Sequence, residues 1–282
     1  MDASSAKSGR MSDGYLHGFT AAEQQRLLEQ ADFLARWVFD GLPLPSRGKL
    51  LEVGAGVGAE TRHLLARTQA QVTTVEFDAR QLELQQKILA GPVADGRVVP
   101  LRADARAMPL EPNSFDGAFI CWVLEHVPGP EAVLRDVLRV LKAGSTVSIA
   151  EVHNQSFTLL PRDEQLMDFW AAVNRTQVSL GGDPYVGARL GGLLVGAGYA
   201  DISIRFVPVQ GDRRDPARRA EILGYFDRLL RSAVPAVAAV QGKPEAELHA
   251  VLDAAFGRAL TEEDSIFLYT FAQATARKPE HP

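Results

Sequence analysis

Residues 50–61 read LLEVGAGVGAET: an apolar run, an acid, three glycines at alternate positions, then polar helix formers. The pattern is a strand running into a glycine turn that opens a helix. Missing side chains at Gly54, Gly56 and Gly58 let a ligand press on the backbone, and the helix N-terminus favours anionic or hydrogen-bond-accepting groups. Read as Gly-x-Gly-x-x-Ala through Ala59, the loop also satisfies a permissive dinucleotide fingerprint. The loop alone therefore sets a fold type and leaves its ligand open.

Working outward, apolar strands alternate with helices. KLLEV (49–53) precedes a helix near 59–66, QVTTVE (71–76) a helix near 78–89, and RVVPLRAD and DGAFICW supply two more strands. GPEAVLRDVLRVLKAG is an amphipathic helix with Pro130 near its start and Gly144 just past its end, and TVSIAEV resumes the strand pattern. Such alternation implies parallel β-α-β units, with ligands outside the strands' C-terminal ends. Before the first strand, Thr20 and Glu23 form a capping-box pair for a helix carrying Leu27, Ala31, Leu34 and Val38 on one face. Beyond His153 the spacing predicts helices over 162–175 and 186–199, a sixth strand ADISIRFVPV, two or three helices within 213–260, and a last strand SIFLYTFAQATAR. We expect a flexible leader (1–14) and a single domain over 15–282. Its parts are a helical cap (15–46), a ligand-binding core (47–153), and helical lid, substrate or oligomer segments (154–190 and 210–262).

The formal charge of −5, without a Lys/Arg cluster beside aromatics, gives no polyanion-binding footprint and argues against nucleic acid. No run approaches the length of a membrane span, and the opening lacks a signal peptide's apolar core, so a cytoplasmic protein is expected. The one cysteine, Cys121, excludes an internal disulfide, and no tight His/Asp/Glu cluster suggests a metal. A small-molecule substrate is the expected partner.

Glu76 closes the second strand 22 residues after Gly54, placed to accept both hydroxyls of an adenosine ribose. Asp104 ends the third strand, where a carboxylate can accept from an adenine amino group. In order, LLEVGAGVG, VTTVEFD, LRADARAMPLEPNSFDGAFICWVLEHV and LRVLKAGSTVSIAEV resemble the class I S-adenosylmethionine-dependent methyltransferases. The likeness is strongest to the branch holding ubiquinone/menaquinone-biosynthesis and natural-product methyltransferases. It covers about residues 48–152, with Ala143 and Ser145 departing from the usual proline and glycine. It implies a Rossmann-like α/β fold: a seven-stranded, mostly parallel sheet with helices on both faces and an antiparallel last strand. It also implies S-adenosyl-L-methionine as cofactor and S-adenosyl-L-homocysteine as product. By position, Gly54, Ala55 and Gly56 would line the methionine and ribose, with Glu52 toward the amino end. Glu76 would hold the ribose hydroxyls, Phe77 would pack on adenine, Asp104 with the Ala105 amide would read the adenine edge, and Cys121 would approach through its backbone.

The remaining candidates are less determined. His126 either acts on the substrate or holds its loop by a hydrogen bond, and Glu151 and His153 are expected to leave the fifth strand toward the cleft, to orient an acceptor or take its proton. Tyr15 and His17 precede the first helix, where relatives fold a segment over the cofactor. Trp122, Phe169, Trp170, Tyr185 and Tyr225 either wall an apolar acceptor site or fill the core. A nicotinamide-dependent oxidoreductase and a non-catalytic cofactor-binding regulator stay open as alternatives, and the late helices either cover the site or join two subunits.

Overall fold

Leu50 and Leu51, like Phe119 and Ile120, are buried in opposite layers of the computed structural model, which describes residues 21–280. A sheet covered on both faces needs apolar side chains on both, so its strands show little polar alternation. Strands β1 (Lys49–Val53), β2 (Gln71–Glu76), β3 (Val98–Arg102), β4 (Phe115–Cys121) and β5 (Leu141–Val152) are parallel in the order 3-2-1-4-5. Helices α2 (Ala59–Arg67), α3 (Ala79–Ile88), the short α4 (Ala90–Ala94) and α5 (Pro130–Val140) form the crossovers. Asp78 caps α3, its side chain accepting from the Arg80 and Gln81 amides.

The expected last strand, β8 (Ile266–Arg277), runs antiparallel beside β5, and β7 (Ala200–Gly211) pairs with its other edge. An eighth strand, β6 (Thr158–Leu160), pairs with β8 at residues 266–268, just beyond the 271–277 stretch that pairs with β5. It therefore continues the line of β5 after a 3₁₀ turn at Asn154–Ser156, and the sheet keeps seven lanes. On one face lie α1 (Ala21–Val38), α6 (Glu164–Ser179), α8 (Pro216–Gln241) and α9 (Glu245–Thr261), packed with Leu50 and Phe119. On the other lie α5 and α7 (Val186–Ala197), packed with Leu51 and Ile120.

Two local readings change. Helix α5 stops at Val140 instead of running to Gly144, and Leu141 already pairs with Phe115. The Asn113 and Ser114 amides donate to the Arg139 and Val140 carbonyls, so the last turn is satisfied by neighbouring chain and passes directly into β5. The capping partner Thr20, with Tyr15 and His17, lies outside the described residues. Glu23 forks onto Arg26 Nε and Nη2 at 2.7 and 2.6 Å.

Candidate active site

A cavity of about 510 Å³ opens at the carboxyl ends of the parallel strands, within the usual size of a small-ligand site. Its lining follows the strand order. The ends of β1, β2 and β3 contribute Gly54–Val57, Glu76–Asp78 and Ala103–Ala105; the loop after β4 lies in the middle; Val152, Asn154, Tyr269 and Phe271 come from β5 and β8.

The glycine turn is folded by its own hydrogen bonds. The Val75 carbonyl accepts from the Gly54 and Ala55 amides at 2.8 and 3.0 Å, which lashes the turn to β2. Only part of the expected reason for glycine holds. At Gly54 (φ +66) a Cβ would stand 2.5 Å from Val123 Cγ2, and at Gly58 it would meet Leu89, so protein presses there rather than ligand. At Gly56 (φ +53) nothing lies within 4 Å, and this is where the loop leaves room for a ligand.

Glu76 reaches back over that loop. Its carboxylate accepts from the Gly56 amide at 2.8 Å and the Asp78 amide at 2.7 Å. Burial pushes its pKa up, opposed by these amide bonds. Beside it Phe77 is 40% exposed, an uncovered aromatic face on the cavity wall. Asp104 also lines the cavity, but Arg106 holds both its oxygens, Nε at 3.0 and 3.1 Å and Nη2 at 2.6 Å. That pairing keeps Asp104 below the usual carboxylate range. Ala55, Ala105 and Cys121 join the wall, and burial raises the Cys121 thiol well above its ordinary pKa, so it is no activated nucleophile.

Three candidates lie elsewhere. Glu52 is sealed under the loop, accepting from Thr61 Oγ1 at 2.7 Å, with burial pushing its pKa to about 8. Glu151 does not point into the cleft: it is fully buried, and its Oε1 accepts from the Val123 and Leu124 amides at 2.9 and 2.7 Å. Burial, and next the charge of Glu125, raise its pKa to about 8. His153 also points away from the cavity, with Nδ1 2.8 Å from Thr270 Oγ1 and its ring against Phe206. A strand alternates faces residue by residue, so Glu151 and His153 leave the same side and Val152 between them lines the cavity. Of the proposed acids and bases, only His126 borders the cavity.

The loop after β4 supplies what sequence reading missed. Trp122 sits at φ +52, a conformation costly for a bulky residue, and its amide donates to the Ala150 carbonyl. Glu151 holds the next two amides, so the turn is over-determined. It drives Val123 against Gly54 and leaves Glu125 on the cavity wall at 7% exposure. Glu125 Oε2 accepts from Gln177 Nε2 of α6 at 2.7 Å, and Oε1 lies 3.5 Å from His126 Nε2. Glu60, in the first turn of α2, also lines the cavity, and burial raises its pKa to about 7. Neither acid belongs to a spaced motif, so only tertiary placement reveals them.

The far wall is aromatic. Of the two readings for Trp122, Trp170 and Tyr225, the wall holds, and Phe226, Tyr269 and Phe271 join them. Phe169 is instead core, and Tyr185 is exposed at the start of α7. A buried polar chain fixes this wall: Tyr269 Oη donates to Asn154 Oδ1, Asn154 Nδ2 donates to Asn174 Oδ1, and Trp170 Nε1 donates to the Asn154 carbonyl.

Comparison with known proteins agrees with this layout. Residues 51–149 match the family described as "Methyltransferase domain". The chain is 34% identical over 118 residues to the demethylmenaquinone methyltransferase of Clavibacter sepedonicus, covering 42% of this chain and 46% of that protein. It is 28% identical over 145 residues to the 27-O-demethylrifamycin SV methyltransferase of Amycolatopsis mediterranei, 51% and 52% of the two chains. The match thus spans about half the length of these relatives. Among solved structures, Haemonchus contortus phosphoethanolamine N-methyltransferase 2 in complex with S-adenosyl-L-methionine superposes with a TM-score of 0.55 at 19% identity, covering 89% of this chain and 52% of that one, a likeness of fold alone. Strand order, glycine turn and family match converge on the core of the chain: residues 51–149 form a methyltransferase domain of the class I S-adenosylmethionine-dependent type.

Proposed function

We propose that the protein transfers a methyl group from S-adenosylmethionine to an O, N or C atom of a small acceptor, a specialised metabolite. The supporting observation is one continuous cavity with two unlike halves: a glycine and carboxylate arc at β1 to β3, and an aromatic wall from α6, α8 and β8. The residues present fit the cofactor. The space over Gly56 admits it, the Glu76 carboxylate has acceptor capacity for ribose hydroxyls, and the exposed Phe77 ring offers an apolar face to adenine. When bound, that cofactor supplies a methyl group already activated on a sulfonium.

The chain then has to bind, align and exclude water, and alignment alone can supply about 7–11 kcal/mol, more than the factor of about 10²–10⁴ from an acid or base. Helices α6 and α8 act in this reading as the lid that closes the acceptor half. Calorimetry with S-adenosylhomocysteine and with NAD tests the proposal. Only the former should bind, and Glu76→Ala should weaken it more than His126→Ala. Binding of NAD alone, or equal losses in the two variants, would overturn it. Transfer of an isotope-labelled methyl group into a metabolite extract should then reveal the acceptor.

A further inference from the structure

The geometry points to an amine as the methyl acceptor, bound as its ammonium ion against the aromatic wall, with Glu125 as the carboxylate that takes its proton. This rests on the methyltransferase reading and adds a substrate class and a catalytic group to it.

Position comes first. The cofactor residues end β1, β2 and β3, the aromatic residues other than Trp122 come from beyond β5, and β4 lies between them in the sheet. A methyl group passing from one half to the other crosses at the loop after β4, where Glu125 stands. Its placement is enforced: the Glu151 carboxylate pins the two preceding amides, and the Gln177 amide holds Oε2. The Glu125 carbonyl also accepts from the Asp183 amide at 2.7 Å, tying the loop to the end of α6.

Charge comes next. Among the described wall residues, Asp78 and Asp104 are matched by Arg80 and Arg106, and Arg26 by Glu23. Glu60, Glu76 and Glu125 remain; burial holds the Glu60 pKa near 7 and the Arg62 charge acts on it, which leaves Glu76 and Glu125 as the carboxylates facing a ligand. The cofactor, with a sulfonium, an ammonium and a carboxylate, carries one net positive charge. Two carboxylates against it leave an excess of one negative charge. Uncompensated buried charge is costly. A cationic acceptor relieves it, and the rings of Trp122, Trp170, Tyr269 and Phe271 stabilise an ammonium through their faces while seating its apolar body. A neutral alcohol would leave the excess in place.

The step balances. The ammonium gives one proton to the Glu125 carboxylate and becomes a neutral amine. Its lone pair forms the C–N bond as the C–S bond breaks, the S-methyl pair returns to sulfur as a thioether, and the positive charge moves to the methylated nitrogen.

Calorimetry on the full chain tests this, first with S-adenosylhomocysteine alone and then with the loaded protein titrated with 2-phenylethylamine and 2-phenylethanol. The amine should bind at least tenfold more tightly than the alcohol. Glu125→Gln, which keeps an oxygen for Gln177 and whose fold is checked by thermal melting, should erase that preference. An alcohol bound as well as the amine, binding of neither, or an amine preference that survives in Glu125→Gln overturns the inference. Failure to bind S-adenosylhomocysteine would instead strike the methyltransferase reading. The wild-type comparison stands independently of the variant.

Discussion

Glu151→Ala isolates the device that shapes the site. Two buried amides, Val123 and Leu124, donate to Glu151 Oε1, and the residue before them, Trp122, sits at φ +52. Each buried donor left without a partner costs about 1–3 kcal/mol, so the alanine variant should lose about 2–6 kcal/mol. Glu151→Gln keeps an acceptor oxygen for both amides and should lose less than about 1 kcal/mol.

Charge relief has to be kept apart from this. Glu151 titrates near 8 when folded, against 4.5 ordinarily. The folded state therefore holds a proton that the unfolded state releases, and wild-type stability falls as pH rises from about 4.5 to about 8. At pH 5 that penalty is small, so urea unfolding followed by circular dichroism at pH 5 reads the amide effect almost alone. At pH 8 Glu151→Gln should gain on wild type. Equal stability of the alanine and glutamine variants at pH 5 would refute the reasoning, because the two amides would then need no acceptor.

The two loop glycines should separate fold from binding. Gly54→Ala drives a methyl into Val123 and should lower the melting temperature sharply, whereas Gly56→Ala costs about 1–2 kcal/mol of backbone strain yet weakens S-adenosylhomocysteine at least tenfold by calorimetry. The reverse ranking would show that Gly56 does not border the cofactor. Glu52→Gln should flatten the stability profile between pH 4.5 and about 8, since wild-type Glu52 titrates near 8 when folded, at about 1.4 kcal/mol per pKa unit. Superimposable melting curves against pH in the two proteins would exclude a buried proton at Glu52.

The rim of the cavity at β1 to β3 was legible because its parts are tied to strand ends. Gly56, Glu76, Phe77 and Asp104 each lie at or just past the end of an apolar strand, and parallel strands deliver their C-terminal residues to one rim. Glu151 and His153 were misplaced because a strand flips its side chains every residue, and one step of phase exchanges cavity for core. Phe169 and Trp170 show the same sensitivity on a helix: both are buried in α6, yet only Trp170 lines the cavity. Gly144 misled for another reason, since the end of α5 is set by the Asn113 and Ser114 amides that take its last carbonyls.

By itself the sequence determined the parallel core, its crossover helices, the antiparallel closing strand and the rim of the cavity at β1 to β3. These depend on periodicity and on residues adjacent to strand ends, which are local properties of the chain. Tertiary structure decided the rest of the cavity wall. Glu60, Glu125, Gln177, Tyr269 and Phe271 come from α2, the loop after β4, α6 and β8, up to 211 positions apart, and share a wall only once the sheet closes. Which carboxylates stay unpaired in that wall depends on where the cations of other elements come to rest. Long-range packing fixes those positions, and no spacing in the sequence encodes them.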